Sequence, residues 1–196
     1  MTQECNNREK ILLCAQRLFF EKGYDSVGVQ EIVDTAGITK PTMYYYFKSK
    51  QGLLACLLEE GMASMLAPLE DVTHEEGTFL EVLDKVVSCY FSVALENQEL
   101  FLLLVSIFSS ATDNEAFQAA KPYISSYLHI FSDFFHKYAE EEPYLSGRED
   151  ALATALTGMM QMHIMVAYER KELEDMEKNR SFQKIICSLF ANGLNG

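Results

Sequence analysis

The sequence predicts an all-α protein in which a short three-helix domain, residues 1–49, is joined to a larger helical domain, residues 50–196. Apolar residues recur at the spacing of helix faces, no run alternates as in a strand, and only four prolines interrupt the 196 residues. With 48% hydrophobic residues the chain can bury a substantial core. Residues 1–50 carry 7 basic and 6 acidic side chains, a net of +1, whereas residues 51–196 carry 9 and 23, a net of −14. We therefore expect the two regions to have different partners.

A tight turn between two short helices is predicted around Gly37. The helix before the turn has one apolar face with residues at i, i+3, i+4 and i+7: Val29, Ile32, Val33 and Ala36. Gly28 precedes that helix and is an acceptable though weaker N-cap. Gly37 can adopt the positive φ that ends a helix, and Thr39 can cap the next one. The pattern predicts a helix-turn-helix, a motif whose second helix enters the major groove of DNA.

The second helix of this motif is rich in side chains that can contact DNA. Met43 and Phe47 are four residues apart and should point inward together. The polar residues around them then face outward: Thr42, Tyr44 and Tyr45. Tyrosine hydroxyls can reach phosphates or base edges, and lysines attract phosphates. Three lysines flank the helix: Lys40, Lys48 and Lys50. Gln30, at the start of the preceding helix, could also meet a phosphate.

Residues 8–58 resemble the TetR family of bacterial transcriptional regulators. The resemblance is carried, in order, by Ala15 and Phe19 before Gly23-Tyr24, by Ile32–Lys40, by Tyr44–Lys50 and by Leu53-Leu54. It implies that bases or the nearby backbone are approached by Lys40, Pro41, Thr42 and Tyr44. It implies that phosphates are held by Tyr45, Tyr46 and Lys50. Gln30 and Thr39 complete the expected DNA-binding set. For Tyr46, which precedes Phe47, burial in the core is an open alternative.

The remaining pattern predicts further helices without a linker. The fourth helix should begin near Lys50, capped by Ser49, and end before Pro68 at about Ala67. Gly52 stands where a Glu would complete a capping box with Ser49, so this helix should start less firmly. Later helices are predicted near residues 78–96, 98–109, 122–141, 148–171 and 177–191, with a short piece from about residue 113.

The resemblance implies a ligand pocket among the helices between about residues 78 and 163. Aromatic and methionine side chains are frequent there, which suits a small apolar or aromatic ligand. The candidate lining residues are Tyr90, Phe101, Phe108, Tyr127, Phe131, Met159, Met162 and His163. Ordinary core packing is the alternative for most of them, and His163 could be a hydrogen-bonded core histidine.

Neither a metal nor a cofactor is expected. One helical stripe holds side chains at a spacing that could bind a divalent metal: His129, Asp133, His136 and Glu140. Aromatic residues occupy the opposite side of that helix, so we interpret the stripe as a solvated face. The five cysteines include no C-x-x-C pair, and we interpret them as reduced thiols, with redox sensing as the alternative. They are Cys5, Cys14, Cys56, Cys89 and Cys187.

The last two helices are predicted to form a homodimer interface of four helices. A stripe of small residues on the first of them would let another helix approach closely. The predicted interface residues are Ala151, Ala155, Gly158, Met165, Phe182, Ile186, Leu189 and Phe190. Packing within one chain is the alternative. A dimer suits DNA binding, because two-fold symmetry matches a palindromic operator.

These observations predict a cytoplasmic, homodimeric transcriptional repressor that a small ligand releases from a palindromic operator. An activator, a regulator that needs a co-repressor, or a helical adaptor for another protein are the alternatives. The sequence has no glycine-rich phosphate loop, nucleophile elbow or Cys and His pairing, so an enzyme is not expected. We find no apolar segment long enough to span a membrane and no signal peptide, so no membrane partner is expected.

Overall fold

The computed structural model describes the backbone of residues 2–192 and the side chains of residues 7–191, and this part of the chain is all-helical, as predicted. Its α-helices are α1 (Thr2–Lys22), α2 (Val29–Ala36), α3 (Lys40–Phe47), α4 (Lys50–Thr73), α5 (Phe79–Glu96), α6 (Gln98–Phe108), α7 (Glu115–Tyr138), α8 (Glu149–Glu169) and α9 (Met176–Asn192). A short 3₁₀ helix covers Pro143–Leu145. The prediction for Cys5 lies outside the described side chains.

The chain packs as two compact units. One comprises residues 1–63 and 97–123, and the other comprises residues 64–96 and 124–196. The unit that holds the predicted helix-turn-helix therefore also includes the first part of α4, all of α6 and the start of α7. These units do not divide the chain at residue 49, so a functional boundary at that residue remains a prediction.

The first unit is built around α1, which packs on α2, α3 and α6. Its buried side chains include the predicted Ala15 and Phe19, and Met43 and Phe47 point inward as expected. Helices α4 and α6 approach each other closely at Gly61, where an added Cβ would lie 2.1 Å from the Leu100 side chain. A larger residue at position 61 would therefore require the Leu100 side chain to shift.

The second unit places α5 against α8 and α9. Aromatic rings fill part of its core: Phe79, Phe134, Phe135, Tyr138 and Phe190. The Lys137 side chain caps the C-terminal end of α4. Its amine donates to the carbonyls of Thr73 at 3.1 Å and Glu75 at 2.7 Å. These contacts satisfy carbonyls that a helix end leaves without an intrahelical donor.

Two helix boundaries differ from the sequence-based prediction, because Pro68 and Pro122 lie inside α4 and α7. An internal proline removes one helical hydrogen bond and costs about 3 kcal/mol. In α4 this cost is offset by the burial of apolar side chains beyond the proline, Leu69 and Val72. Burial of this extra turn favours a continuous helix where local preference alone predicted an end.

Among the described helices, α4 has the length and apolar composition of a membrane span, contrary to the expectation that no segment does. Its large apolar side chains are nevertheless buried in the folded chain: Leu53, Leu54, Leu57, Leu58, Met62, Met65 and Leu69. Its acidic residues are exposed: Glu59, Glu60, Glu70 and Asp71. This division between two faces is typical of a core helix.

The connection between α3 and α4 is a tight turn at Lys48, which has φ 64° and ψ −37°. The Ser49 N–H donates to the Phe47 carbonyl at 2.7 Å, and the Ser49 hydroxyl accepts from the Gly52 N–H at 2.9 Å, which confirms the predicted cap. A Cβ at Gly52 would lie 2.1 Å from the Phe47 carbonyl oxygen. The position therefore excludes the glutamate of a capping box for a steric reason.

Gly52→Ala is expected to destabilise the protein by about 1 to 3 kcal/mol, the usual range for overpacking. The substitution adds helix propensity, but the carbonyl that it meets is backbone and cannot rotate away as a side chain would. Urea unfolding measures the change. Gln51→Ala, on the exposed neighbour, is the matched control and should be nearly neutral. Unchanged or raised stability of Gly52→Ala would contradict the proposed contact.

Candidate nucleic-acid interface

The turn between α2 and α3 has the predicted geometry. Gly28 precedes α2 in an extended conformation and supplies no side-chain cap. Gly37 is left-handed at φ 66° and ψ 36°, and the N–H of Ile38 donates to the Val33 carbonyl at 2.9 Å. The Thr39 hydroxyl accepts from the Thr42 N–H at 3.4 Å. These bonds satisfy both helix ends at the turn, which fixes α3 relative to α2.

Helix α3 presents a polar outer face. Lys40 and Pro41 are exposed, and the exposed fractions of Tyr44 and Tyr45 are 43% and 67%. Thr42 is half-buried, with its hydroxyl 2.9 Å from that of Thr39. Two large aromatic side chains exposed on a helix with a fully buried opposite face form a surface suited to a groove of DNA.

Tyr46 is half-buried, which agrees with the alternative that sequence reasoning left open. Its ring contacts the edge of Tyr45 at 5.1 Å between centroids and is tilted against Phe47 at 6.1 Å. Tyr46 therefore supports the orientation of Tyr45, which lies further out.

Exposed polar groups surround α3. The Lys48 amine donates to the Tyr45 carbonyl at 3.1 Å and lies 5.9 Å from the Tyr45 ring centroid. Gln30 is exposed in the first turn of α2, where its amide donates to Asp34 at 2.7 Å. A side chain near a helix N-terminus can share a phosphate with the backbone amides of that first turn.

In the structure Lys50 binds backbone carbonyls, whereas the resemblance implies that it holds a phosphate. Its amine donates to the carbonyls of Tyr24 at 2.7 Å and Val27 at 2.9 Å, and it lies 4.1 Å from the Tyr24 ring centroid. Burial lowers the pKa of Lys50. The amine thus holds the loop between α1 and α2, a role that sequence reasoning missed because the acceptors are backbone carbonyls distant along the chain.

The predicted ligand-lining residues do not form one group. Tyr90, Tyr127 and Phe131 pack together in the second unit, with ring centroids 5.3 to 6.3 Å apart. A hydrogen bond joins the two tyrosine hydroxyls, and burial raises the pKa of both phenols. Phe101 and Phe108 belong to the first unit, where Phe101 is buried and Phe108 is 48% exposed.

The predicted lining residues on α8 also have different surroundings. Met162 is 57% exposed, so its assignment to an enclosed pocket is wrong. Met159 is half-buried. His163 lies 3.0 Å from the Asn179 amide oxygen through Nε2 and stacks on Phe182 at 3.9 Å. It therefore matches the alternative of a hydrogen-bonded histidine within the helical packing.

The predicted dimer residues divide between surface and core. Three of them lie on the exposed face of α8: Ala151, Ala155 and Gly158. Met165 and Leu189 are also exposed. Phe182 is half-buried against His163.

Ile186 and Phe190 are buried inside their own chain, so the prediction that they form a surface between two chains is wrong. The apolar pattern of α9 did not distinguish its inner from its outer positions. Two further apolar side chains that continue the predicted association surface are exposed, Met162 and Ile185, which is 54% exposed. We call the group Gly158, Met162, Met165, Ile185 and Leu189 the α8–α9 apolar patch.

The histidine and acid stripe on α7 is exposed along its length. Within it, His136 Nδ1 lies 3.8 Å from Glu149. No group of His, Cys, Asp and Glu side chains in the described part of the chain is arranged to hold a metal. The described cysteines are free thiols: Cys14, Cys56, Cys89 and Cys187. Burial, with Asp84 nearby, raises the pKa of Cys187 to about 11, which lowers its thiolate fraction.

Comparison with known proteins agrees with the geometry of residues 28–47. Residues 11–57 match the family model described as bacterial regulatory proteins, tetR family. The HTH-type transcriptional repressor BdcR of Escherichia coli is 35% identical over 79 residues, which are 40% of each chain. The fatty acid metabolism regulator protein of Bacillus subtilis is 30% identical over 103 residues, which are 53% of each chain.

The chain spans about half the length, or less, of these two curated relatives. The fold is similar over nearly the whole chain to the crystal structure of the transcriptional regulator FadR from Bacillus subtilis in complex with stearoyl-CoA. The TM-score is 0.76 at 21% identity, with 94% of this chain and 98% of the other covered. Since 94% of this chain is covered, the likeness of the fold includes residues of both units.

Proposed function

We propose that this chain, which belongs to the TetR family of bacterial regulatory proteins, is a sequence-specific DNA-binding transcriptional regulator rather than an enzyme. The observation that carries the proposal is the capped turn at Gly37, which holds α3 with Tyr44 and Tyr45 exposed and Met43 and Phe47 buried. A protein that binds chromosomal DNA acts in the cytoplasm. The acidic remainder of the chain repels DNA, which favours contact through the N-terminal helices.

The protein acts as a homodimeric repressor on a palindromic operator. The α8–α9 apolar patch supports the dimer, because its exposed methionine, isoleucine and leucine side chains lose contact with water when a second copy covers them. One short helix contacts few base pairs, whereas a symmetric pair reads two half-sites separated by a helical turn or a multiple of it. An activator would occupy DNA in the same way, and transcription from the bound promoter distinguishes the two.

The ligand is a small molecule with a long apolar chain. The cluster of Tyr90, Phe131 and the half-buried Tyr127 supports this class, since its surface is aromatic and its two hydroxyls stay protonated. A protonated hydroxyl can donate to a carbonyl or carboxylate oxygen. The net charge of −14 over residues 51–196 disfavours a ligand with many phosphates. A free fatty acid therefore fits this chain better than an acyl-CoA.

Footprinting on the DNA that flanks the gene of this protein tests the proposal. We expect protection of one palindrome, with an affinity that falls as salt rises, by about 0.9 log units per log unit of salt for each neutralised phosphate. Stearic acid is then expected to release the complex, with stearoyl-CoA as the second arm. To release an operator that is 99% occupied, the ligand must bind the DNA-free state more tightly than the DNA-bound state by about 5.5 kcal/mol. Binding without sequence preference would refute the regulator, and release by stearoyl-CoA alone would refute the choice of fatty acid.

A further inference from the structure

The loop between α1 and α2 is tied to the beginning of α7 by two hydrogen bonds. The Tyr24 hydroxyl donates to the Glu115 carboxylate at 2.8 Å, and the Asn114 amide donates to the Asp25 carboxylate at 2.7 Å. All four residues belong to the first compact unit. Three residues after Asp25 the chain reaches Gly28 and enters α2, so the two bonds act next to the start of that helix.

Tyr24 anchors this loop through its ring, its hydroxyl and its carbonyl. Its ring is buried and meets the edge of Phe19 with 5.1 Å between centroids. The Lys50 amine donates to the Tyr24 carbonyl and lies 4.1 Å from the centroid of the Tyr24 ring, and burial raises the pKa of the Tyr24 phenol. The hydroxyl therefore remains a donor toward Glu115 at any physiological pH. The loop is held by α4 through its backbone and by α7 through its side chains.

Asn114 binds in two directions at once. Its amide oxygen accepts from the N–H of Ala116 at 2.8 Å and of Phe117 at 3.4 Å, so it caps α7. Its amide nitrogen is the group that donates to Asp25. A planar amide fixed at both ends couples the direction of the first turn of α7 to the position of Asp25.

The position of this loop matters for DNA binding because it determines where α2 begins. Gly28 offers no side-chain cap, and the first N–H groups of α2 have no acceptor within their own helix. Such groups bind phosphate when they are aimed at the DNA backbone. An error on the order of 1 Å in their placement weakens several phosphate contacts together.

We propose that Asn114 and Glu115 are positioning residues for DNA binding, which hold Asp25 and Tyr24 so that the start of α2 meets the DNA backbone. The proposal rests on the proposed DNA-binding function, although neither residue touches DNA. Glu115 lies in the first turn of α7, so this support depends on where that turn is held. Two locations of the loop would correspond to two DNA affinities.

Asn114→Asp tests the proposal, because the carboxylate still caps α7 but cannot donate to Asp25. We expect about a tenfold loss of affinity for the footprinted DNA, which corresponds to about 1.4 kcal/mol. The salt slope should stay nearly unchanged, because the variant removes no lysine or arginine that neutralises a phosphate. The double variant Asn114→Asp with Asp25→Asn reverses donor and acceptor, keeps the net charge, and should recover most of the affinity. Thr112→Asp adds the same charge at an exposed neighbouring residue and should change affinity less than twofold.

Hydrogen exchange without DNA provides an independent measurement of the same support. The amides of residues 26–32 should exchange faster in Asn114→Asp than in the wild type and recover in the double variant. Equal exchange in all three proteins, or full DNA affinity of a folded Asn114→Asp, would overturn the positioning role. Failure of the double variant to recover would overturn it as well. Absence of DNA binding by the wild type would instead refute the proposed function, since the exchange experiment does not depend on DNA.

Discussion

Replacing Lys40 and Tyr44 together with alanine is expected to weaken specific DNA binding by about a hundredfold or more while the protein stays folded. Both side chains lie on the exposed face of α3, and the exposed fraction of Tyr44 is 43%. Each lost base or phosphate contact costs about 1 to 3 kcal/mol, and two such contacts multiply their effects on affinity. Fluorescence anisotropy with the footprinted DNA measures the loss, and circular dichroism during heating measures folding.

The salt dependence separates the two contributions. Lys40→Ala should lower the magnitude of the salt slope by about one, because one phosphate contact disappears, whereas Tyr44→Ala should leave the slope nearly unchanged. Lys184→Ala, an exposed lysine on α9, is the control for loss of charge and should bind as the wild type does. If the folded double variant retained full affinity, α3 would not be the DNA-contacting helix.

Met162→Glu combined with Leu189→Glu is expected to convert the proposed dimer to a monomer. Both side chains are in the α8–α9 apolar patch, where their exposed fractions are 57% and 48%. A glutamate is tolerated there in the monomer, because water solvates it, but pairing two copies would bury several unpaired carboxylates. Burying an unpaired charge costs several kcal/mol or more. Sedimentation at micromolar concentration measures the change in mass.

Loss of the dimer should also lower affinity for the palindrome by about a hundredfold or more, because the second half-site is no longer bound as part of the same molecule. Leu80→Glu is the matched control on α5, where the leucine is 41% exposed and lies outside the predicted interface. That variant should remain dimeric. A double glutamate variant that stays dimeric would place the interface on another surface, and a monomeric wild type would refute the dimer.

The helix-turn-helix could be predicted in detail because its signals are local. The left-handed residue Gly37 and the cap Thr39 act on groups within a few residues, and the structure has both where the sequence predicts them. The inward positions of Met43 and Phe47 follow from helical spacing alone. Such predictions need no knowledge of the rest of the fold.

Predictions that depended on distant partners were less accurate. Helical spacing placed Ile186 and Phe190 on an apolar face, but the structure buries that face within the chain. The same reasoning placed Met162 in a pocket although it is exposed. A periodic pattern shows which side of a helix is apolar, and it does not show whether the covering surface comes from the same chain, a second chain or a ligand.

By itself the sequence determined the all-helical class, the turn at Gly37 and the exposed residues of α3, because caps, φ preferences and helical periodicity act over a few residues. Only the tertiary structure decided what holds that motif in place. Lys50 reaches carbonyls 23 and 26 residues earlier, and Tyr24 reaches Glu115 across 91 residues. These bonds form because packing of α1, α4, α6 and the start of α7 brings distant segments together, and no local pattern in the chain encodes that proximity.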